Sequence, residues 1–292
     1  MAAFPQLMTA MVTPFTAEGA VDTEAAAKLA NHLIDQGSQG LVVTGTTGES
    51  ATMTNEEDEL MWRCVMDAVG HRATVIAGVG LNDTAESVHR AVNAQKAGVH
   101  GIMAVAPYYV KPSQQGMLRH FTTIAAATEL PVLLYNIPGR TGIEILPETL
   151  LSLADVPNIV GVKDVVGSVE KTTWLMNRAP EDFGVWSGDD GSLIAWLAIG
   201  AAGIVSVAGH LVSPQMAEMI KVFPTDPARA LAIHRELSDL CSVLFSEPNP
   251  APVKAGLHAL DYCLEVLRSP MVPVSDETRD NVIAAMKTIN LL

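Results

Sequence analysis

The sequence predicts an α/β fold, a (β/α)8 barrel followed by a C-terminal helical region, and three observations lead there. "QGSQGLVV" at Gln36, "AGVHGIMA" at Ala97 and "IGAAGIVS" at Ile199 share one design. In each, a glycine closes a helical stretch, two residues intervene, and a second glycine opens an apolar run. Glycine after a helix supplies the left-handed conformation that ends it, and the apolar run suits a buried strand. Eight runs of this character occur, at 7–12, 40–44, 74–78, 101–106, 132–135, 159–163, 185–187 and 203–207. Helical patterns separate most of them, the order that builds a parallel sheet.

Taken in order, the first helical pattern is "TEAAAKLANHLIDQG", ending in Gly37. The second, "NEEDELMWRCVMDAVG", is preceded by Thr54 as its cap and opens with Asn55, Glu56 and Glu57, where acidic side chains favour a helix start. "GVGLND" at Gly78 comes nearest to a dinucleotide-binding glycine pattern but lacks the third glycine, which disfavours a doubly wound open sheet. Residues 192–213 carry no formal charge and are long enough to suggest a membrane span. Gly200, Gly203 and Gly209 instead divide them into a helix, a turn and a strand covered on both faces. Beyond Pro214 the pattern is helical only, broken at "FPTDP" and "SEPNPAP". The expected division is a barrel at 1–225 that carries the active site and a helical region at 226–292 packed on it.

Composition narrows the function classes. A chain of 292 residues, 49% hydrophobic and 17% charged, builds its core without disulfides or a metal. Its 18 basic and 32 acidic residues leave a formal charge of −14 and no cluster of Lys and Arg, which opposes nucleic-acid binding. Cys64, Cys241 and Cys263 are far apart, as buried thiols in a reducing compartment would be. The start "MAAFPQLMTAMVTPF" has no basic segment of a secretory signal, so a cytoplasmic protein without membrane association is expected. The eight histidines show no metal-ligand spacing, and Asp189–Asp190 lacks a third ligand, so no metal is expected. Trp174, Trp186 and Trp196 read as core.

In a barrel of this kind the active site stands at the C-terminal strand ends. Lys163, in "NIVGVKD", ends the sixth run. A lysine kept partly neutral by burial is a nucleophile for carbonyl carbon and forms a Schiff base; the alternative is a lysine that reaches solvent or pairs with Asp164. Tyr135 ends the neighbouring fifth run and favours the first reading, because carbinolamine and imine steps need a proton carrier. Thr46 and Tyr109 bring further hydroxyls to the same face. The Gly45–Gly48 loop offers backbone N–H groups to a carboxylate and is no phosphate loop. Glu49 reads as a buried acid that holds this loop. Arg140 in "YNIPGRTG" is either a fork for a second carboxylate or one half of a surface ion pair.

With "GTTGES", "APYYVKPSQQG", "YNIPGRTG", "VGVKD" and "SGDD" in order along nearly the whole chain, the sequence resembles the dihydrodipicolinate synthase family, within the N-acetylneuraminate lyase superfamily. The resemblance implies a class I aldolase-type lyase that uses no cofactor, a homotetramer built as a dimer of dimers. It condenses pyruvate with L-aspartate 4-semialdehyde on the route to diaminopimelate and lysine. N-acetylneuraminate lyase or a 2-keto-3-deoxy sugar acid aldolase is the alternative. Carried over by motif, Lys163 forms the imine, Tyr135 is the acid/base, and Thr46 and Tyr109 complete a proton relay, Tyr109 from a neighbouring subunit. Thr47, Gly188 and Val205 would hold pyruvate and Arg140 the semialdehyde carboxylate. Ser50, Ala51, Asn55, Asn82, Glu86 and Tyr108 correspond to an allosteric lysine site. There Asn55 and Asp58 stand where lysine-inhibited relatives often carry histidines.

Overall fold

Eight parallel strands close on themselves in chain order, each hydrogen-bonded to the next and the last to the first. A computed structural model describes residues 3–292; residues 1–2, at the start of the expected barrel region, lie outside the described residues. The strands are β1 (Leu7–Ala10), β2 (Gly40–Val43), β3 (Thr74–Gly78), β4 (Gly101–Val105), β5 (Val132–Asn136), β6 (Ile159–Asp164), β7 (Gly184–Ser187) and β8 (Gly203–Ser206). Every predicted run overlaps one, and β5, β6 and β7 each extend one residue beyond it. β1 stops two residues short of the prediction because the amide of Val12 donates to His210 Nε2 (3.1 Å) instead of to a strand.

Between and after the strands come α1 (Thr23–Asp35), α2 (Asn55–Val69), α3 (Thr84–Lys96), α4 (Gln114–Ala126), α5 (Pro138–Thr141) and α6 (Pro147–Leu153). They are followed by α7 (Val169–Met176), α8 (Leu193–Ala198), α9 (Gly209–Val222), α10 (Pro227–Val243), α11 (Ala251–Ala259) and α12 (Asp276–Thr288). α2 starts as its sequence asks: Thr54 Oγ1 accepts from the Glu57 amide and Glu57 returns the bond to Thr54, a capping box. The uncharged 192–213 stretch is α8, a turn at Gly200 (φ +90°), β8 and the start of α9. Among the described residues no helix is long and apolar enough to cross a membrane.

Strand alternation makes two cores. Leu41, Val43, Val75, Ala77, Ile102, Ala104, Val132 and Leu134 face outward and pack under the helices. Met8, Val42, Ile76, Met103, Leu133, Tyr135, Trp186 and Val205 face inward and fill the barrel. Trp186 runs down to the barrel floor. Its indole N–H donates to Pro5 O (2.8 Å), and its ring lies edge-on to Phe4 at 6.0 Å. The ring occupies space that a Cβ on Gly161 or Gly184 would need, with contacts of 2.7 and 2.5 Å. Trp196 is core as expected, whereas Trp174 is only partly buried beneath the Arg178 guanidinium. All three cysteines are free; Cys241 and Cys263 are buried and Cys64 half-buried.

Polar side chains tie the β8–β1 seam at the mouth. His210 donates from Nδ1 to Val207 O (2.8 Å) and accepts at Nε2 from Val12, so it is neutral, and burial holds its pKa near 4. α10, α11 and α12 pack on one another and on α8 and α9. The segment between α10 and α11 reaches back to the barrel mouth, where its side chain meets Thr47.

Candidate active site

A one-residue irregularity in β6 aims the lysine. β5 and β6 pair Val132 with Ile159, yet the next pair is Leu133 with Gly161, so Val160 is extra. Val160 packs on the inner cluster, and Gly161 lies under the inward Trp186 ring. Two successive residues thus face inward and the alternation inverts. Val162 joins the outer core and Lys163 turns into the barrel. Strict alternation from outward Ile159 would have sent Lys163 among the helices. The same shift sets Lys163 opposite Tyr135 in the register, with its Nζ 4.3 Å from the centre of the phenol ring.

Both residues are 4% exposed. Burial pulls the Lys163 pKa down to about 8; the Asp190 carboxylate works against this and the Arg140 cation with it. Burial pushes Tyr135 up to about 12, partly offset by Arg140 and the Thr46 hydroxyl. Lys163 does not pair with Asp164. That carboxylate accepts from the Val166 amide (3.2 Å) and Thr172 Oγ1 (3.1 Å). Gly188 makes room for the lysine, since a Cβ there would stand 2.6 Å from Lys163 Cε. Asp190 fixes the end of β8, accepting from the amides of Val207 and Ala208 at 3.0 Å each and from Ser206 Oγ. Asp189 is held by Gly191 and Ser192, so the acidic pair is committed to the fold.

The loop after β2 is strained and anchored. Thr44 and Glu49 have φ of +54° and +56°, a conformation that costs on the order of 1 kcal/mol or more per non-glycine residue. The amides of Gly48 and Glu49 close turns onto Gly45 O and Thr46 O, so fewer N–H groups remain for a ligand than the glycines suggested. Among the described residues, Thr46 and Thr47 donate their amides to no carbonyl outside the regular elements. Thr13 Oγ1 holds Gly48 O (2.6 Å), and the Trp62 indole holds Thr44 Oγ1 (2.7 Å). Asn249 Nδ2 donates to Thr47 Oγ1 (2.9 Å), which leaves the threonine proton free for another acceptor. Glu49 is the buried structural acid expected, bound by Lys254 Nζ (2.5 Å) and the Arg268 amide (3.0 Å).

After β5, Asn136 clamps Ile145 through both ends of its amide, 3.0 Å to the carbonyl and 2.9 Å from the N–H. Pro138 opens the single turn of α5 and Gly142 (φ +72°) closes it. Arg140, on that turn, is exposed and donates to Asn249 O (3.3 Å). Among the described residues it forms no ion pair, against the surface-pair alternative. A cavity of about 330 Å³ opens at the mouth, lined by Thr46, Tyr135, Arg140, Met103, Ser50 and Tyr108 among others. Lys163, Thr47, Gly188 and Val205 lie off its walls.

Residues 3–289 match the Dihydrodipicolinate synthetase family. The chain belongs to that family. It is 49% identical over 282 residues to 4-hydroxy-tetrahydrodipicolinate synthase of Symbiobacterium thermophilum, covering 96% of each chain. The solved dihydrodipicolinate synthase of Bacillus anthracis superposes with a TM-score of 0.96 at 42% identity, over 98% of this chain and 99% of that one. The enzyme of Cyanidioschyzon merolae, solved with lysine bound, gives 0.98 at 40% identity over all of both chains. These matches favour the synthase over the sialic acid and deoxy-keto acid lyases.

Two further sets of residues have definite places in this family member. Tyr109 is 87% exposed with φ +69°. Of the expected lysine-site residues, Ser50, Ala51 and Tyr108 line the outer part of the cavity. Asn55 Nδ2 bonds Glu86 Oε1 (2.6 Å), and Asn82 is half-buried nearby in the chain. Asp58 is fully buried against Arg90 (2.7 Å), and burial lifts its pKa to about 7 despite that cation. Sequence reasoning missed Asn249, Lys254 and Arg268. "SEPNPAP" signals only a helix break, and a lysine inside the apolar "APVKAGLHAL" is the one signal that something opposite it carries negative charge.

Proposed function

We propose that this protein is a 4-hydroxy-tetrahydrodipicolinate synthase that condenses pyruvate with L-aspartate 4-semialdehyde through an imine at Lys163. The observation that carries this reading is the buried lysine facing a buried phenol in adjacent register, beside a threonine loop and an arginine bonded only to a backbone carbonyl. With a pKa near 8, roughly a tenth of Lys163 is neutral at pH 7, against about four in ten thousand for an ordinary lysine.

The neutral amine adds to the pyruvate ketone, and loss of water gives the imine. Tyr135, with its pKa near 12, holds its proton at neutral pH and passes it to the departing oxygen. Removing a methyl proton from the imine gives an enamine whose carbon attacks the aldehyde. The semialdehyde's own amine then displaces Lys163, closing the ring and freeing the enzyme. One water is released overall. Thr47 donates to the pyruvate carboxylate, and Gly188 and the chain at Val205 complete that pocket. Arg140 takes the semialdehyde carboxylate in its fork. The imine is itself the electron sink, so the scheme calls for no cofactor.

Thr46 hands the Tyr135 proton outward, and Tyr109 of a second copy completes the relay in a homotetramer, a dimer of dimers. Support for this assembly comes from the outward Tyr109 and the neighbouring Val110, 56% exposed. Residues 1–225 act as the catalytic barrel and 226–292 as a helical region packed on it. Lysine binds at Ser50, Ala51, Asn55, Asn82, Glu86 and Tyr108. The enzyme works in the cytoplasm, on the way to diaminopimelate and lysine. Borohydride reduction in the presence of pyruvate tests the reading: mass spectrometry should find a reduced pyruvyl adduct on Lys163, and turnover should require the semialdehyde. No adduct on the intact protein would remove the imine from the scheme.

A further inference from the structure

The structure assigns Lys254, on a helix outside the barrel, as a positioning residue for the keto-acid subsite, acting through Glu49; this rests on the synthase reading above. Lys254 is fully buried, and its ammonium makes two hydrogen bonds beside an aromatic ring. Nζ donates to Glu49 Oε1 and to Val266 O (2.8 Å), and it stands 4.4 Å from the centre of the Phe15 ring. Glu49 side-chain exposure is 2%, so the pair is closed to water. The carboxylate has a second anchor in the Arg268 amide. The Arg268 guanidinium in turn grips Glu57, at the start of α2, through two bonds of 2.6 Å.

Glu49 holds the left-handed conformation that ends the Thr46–Gly48 turn, one residue after Gly48 and two after Thr47. A non-glycine residue stays in that conformation only where its surroundings impose it. The imposing partner here is a buried charge from 205 residues further along the chain. Removing it leaves a buried carboxylate unpaired, which a loop relieves by turning the side chain out to water. That movement carries Thr46 and Thr47 with it, so the pyruvate carboxylate loses its seat. The helical region is thereby part of the substrate site.

The test uses the full-length protein and two variants, Lys254→Met, which keeps the stem, and Glu49→Gln, which keeps the shape. With Lys254→Met, KM for pyruvate should rise by about tenfold or more, while saturating pyruvate with borohydride still labels Lys163. Glu49→Gln should move KM in the same direction by a smaller factor, and the double variant should lose less than the product of the two. This non-additivity in pyruvate KM, measured well below each variant's melting temperature, is what a purely structural pair would not show. A folded Lys254→Met with pyruvate KM within twofold of the parent overturns the assignment. Should Lys254→Met not fold, an unchanged KM in Glu49→Gln overturns it as well. If the unmodified protein forms no pyruvyl adduct, the synthase reading fails; if it does and KM is unmoved, only this assignment fails.

Discussion

Two parts of the barrel mouth are built on different principles. The Lys163–Tyr135 pair stands on regular strands, where backbone hydrogen bonds fix the register and one extra residue sets which way the lysine points. The Gly45–Ser50 loop has strained backbone at both ends and is held by side chains from Thr13, Trp62, Asn249 and Lys254. Strand-borne groups are rigid at little cost, because the ladder that orders them exists anyway. A loop has no ladder, so partners elsewhere in the fold order it. In the proposed scheme the reactive atoms thus belong to the sheet and the adjustable binding contacts to the loop.

Breaking the strand pair should have the largest effect. Tyr135→Phe removes the proton carrier but not the ring over Lys163. Its kcat should fall by about 10²–10⁴-fold, with chemical denaturation showing only a small stability change. A loss below tenfold would assign proton transfer elsewhere.

The acidity of Lys163 sharpens the comparison next. Its pKa is lowered by burial, so the neutral fraction rises about tenfold per pH unit up to about 8 and then levels. The rate of borohydride-trapped imine formation should follow that curve. A rate still climbing steeply at pH 10 would mean an ordinary, solvated amine.

Breaking the loop anchor should have the smallest effect of the three. Asn249→Ala removes one hydrogen bond to Thr47 Oγ1, worth about 0.5–1.5 kcal/mol, so pyruvate KM should rise by about two- to thirteenfold. Steady-state kinetics should show kcat changing less than KM. Equal losses in both would place Asn249 in the chemical step.

Much of the strand-borne half was legible beforehand. Apolar runs bounded by glycine located all eight strands, and residues at strand ends marked Lys163 and Tyr135, because period-two patterning is a local property. The orientation of Lys163 was not legible. Val160 and Gly161 look like any other strand residues, and counting by twos from Ile159 gives the wrong face. On the loop, the glycines promised more free amides than the folded turn leaves. Arg140 was ambiguous between a fork and a surface pair, and among the described residues it forms no ion pair.

What the sequence determined by itself was the series of helices and strands, the parallel barrel they close into, and the residue types gathered at its mouth. Those follow from interactions between residues near one another in the chain. Tertiary structure alone decided that Lys163 faces Tyr135, and that Lys254 and Asn249 reach back over some two hundred residues to Glu49 and Thr47. A buried charge stays buried only opposite its partner. Nothing in local patterning says where along the chain that partner lies.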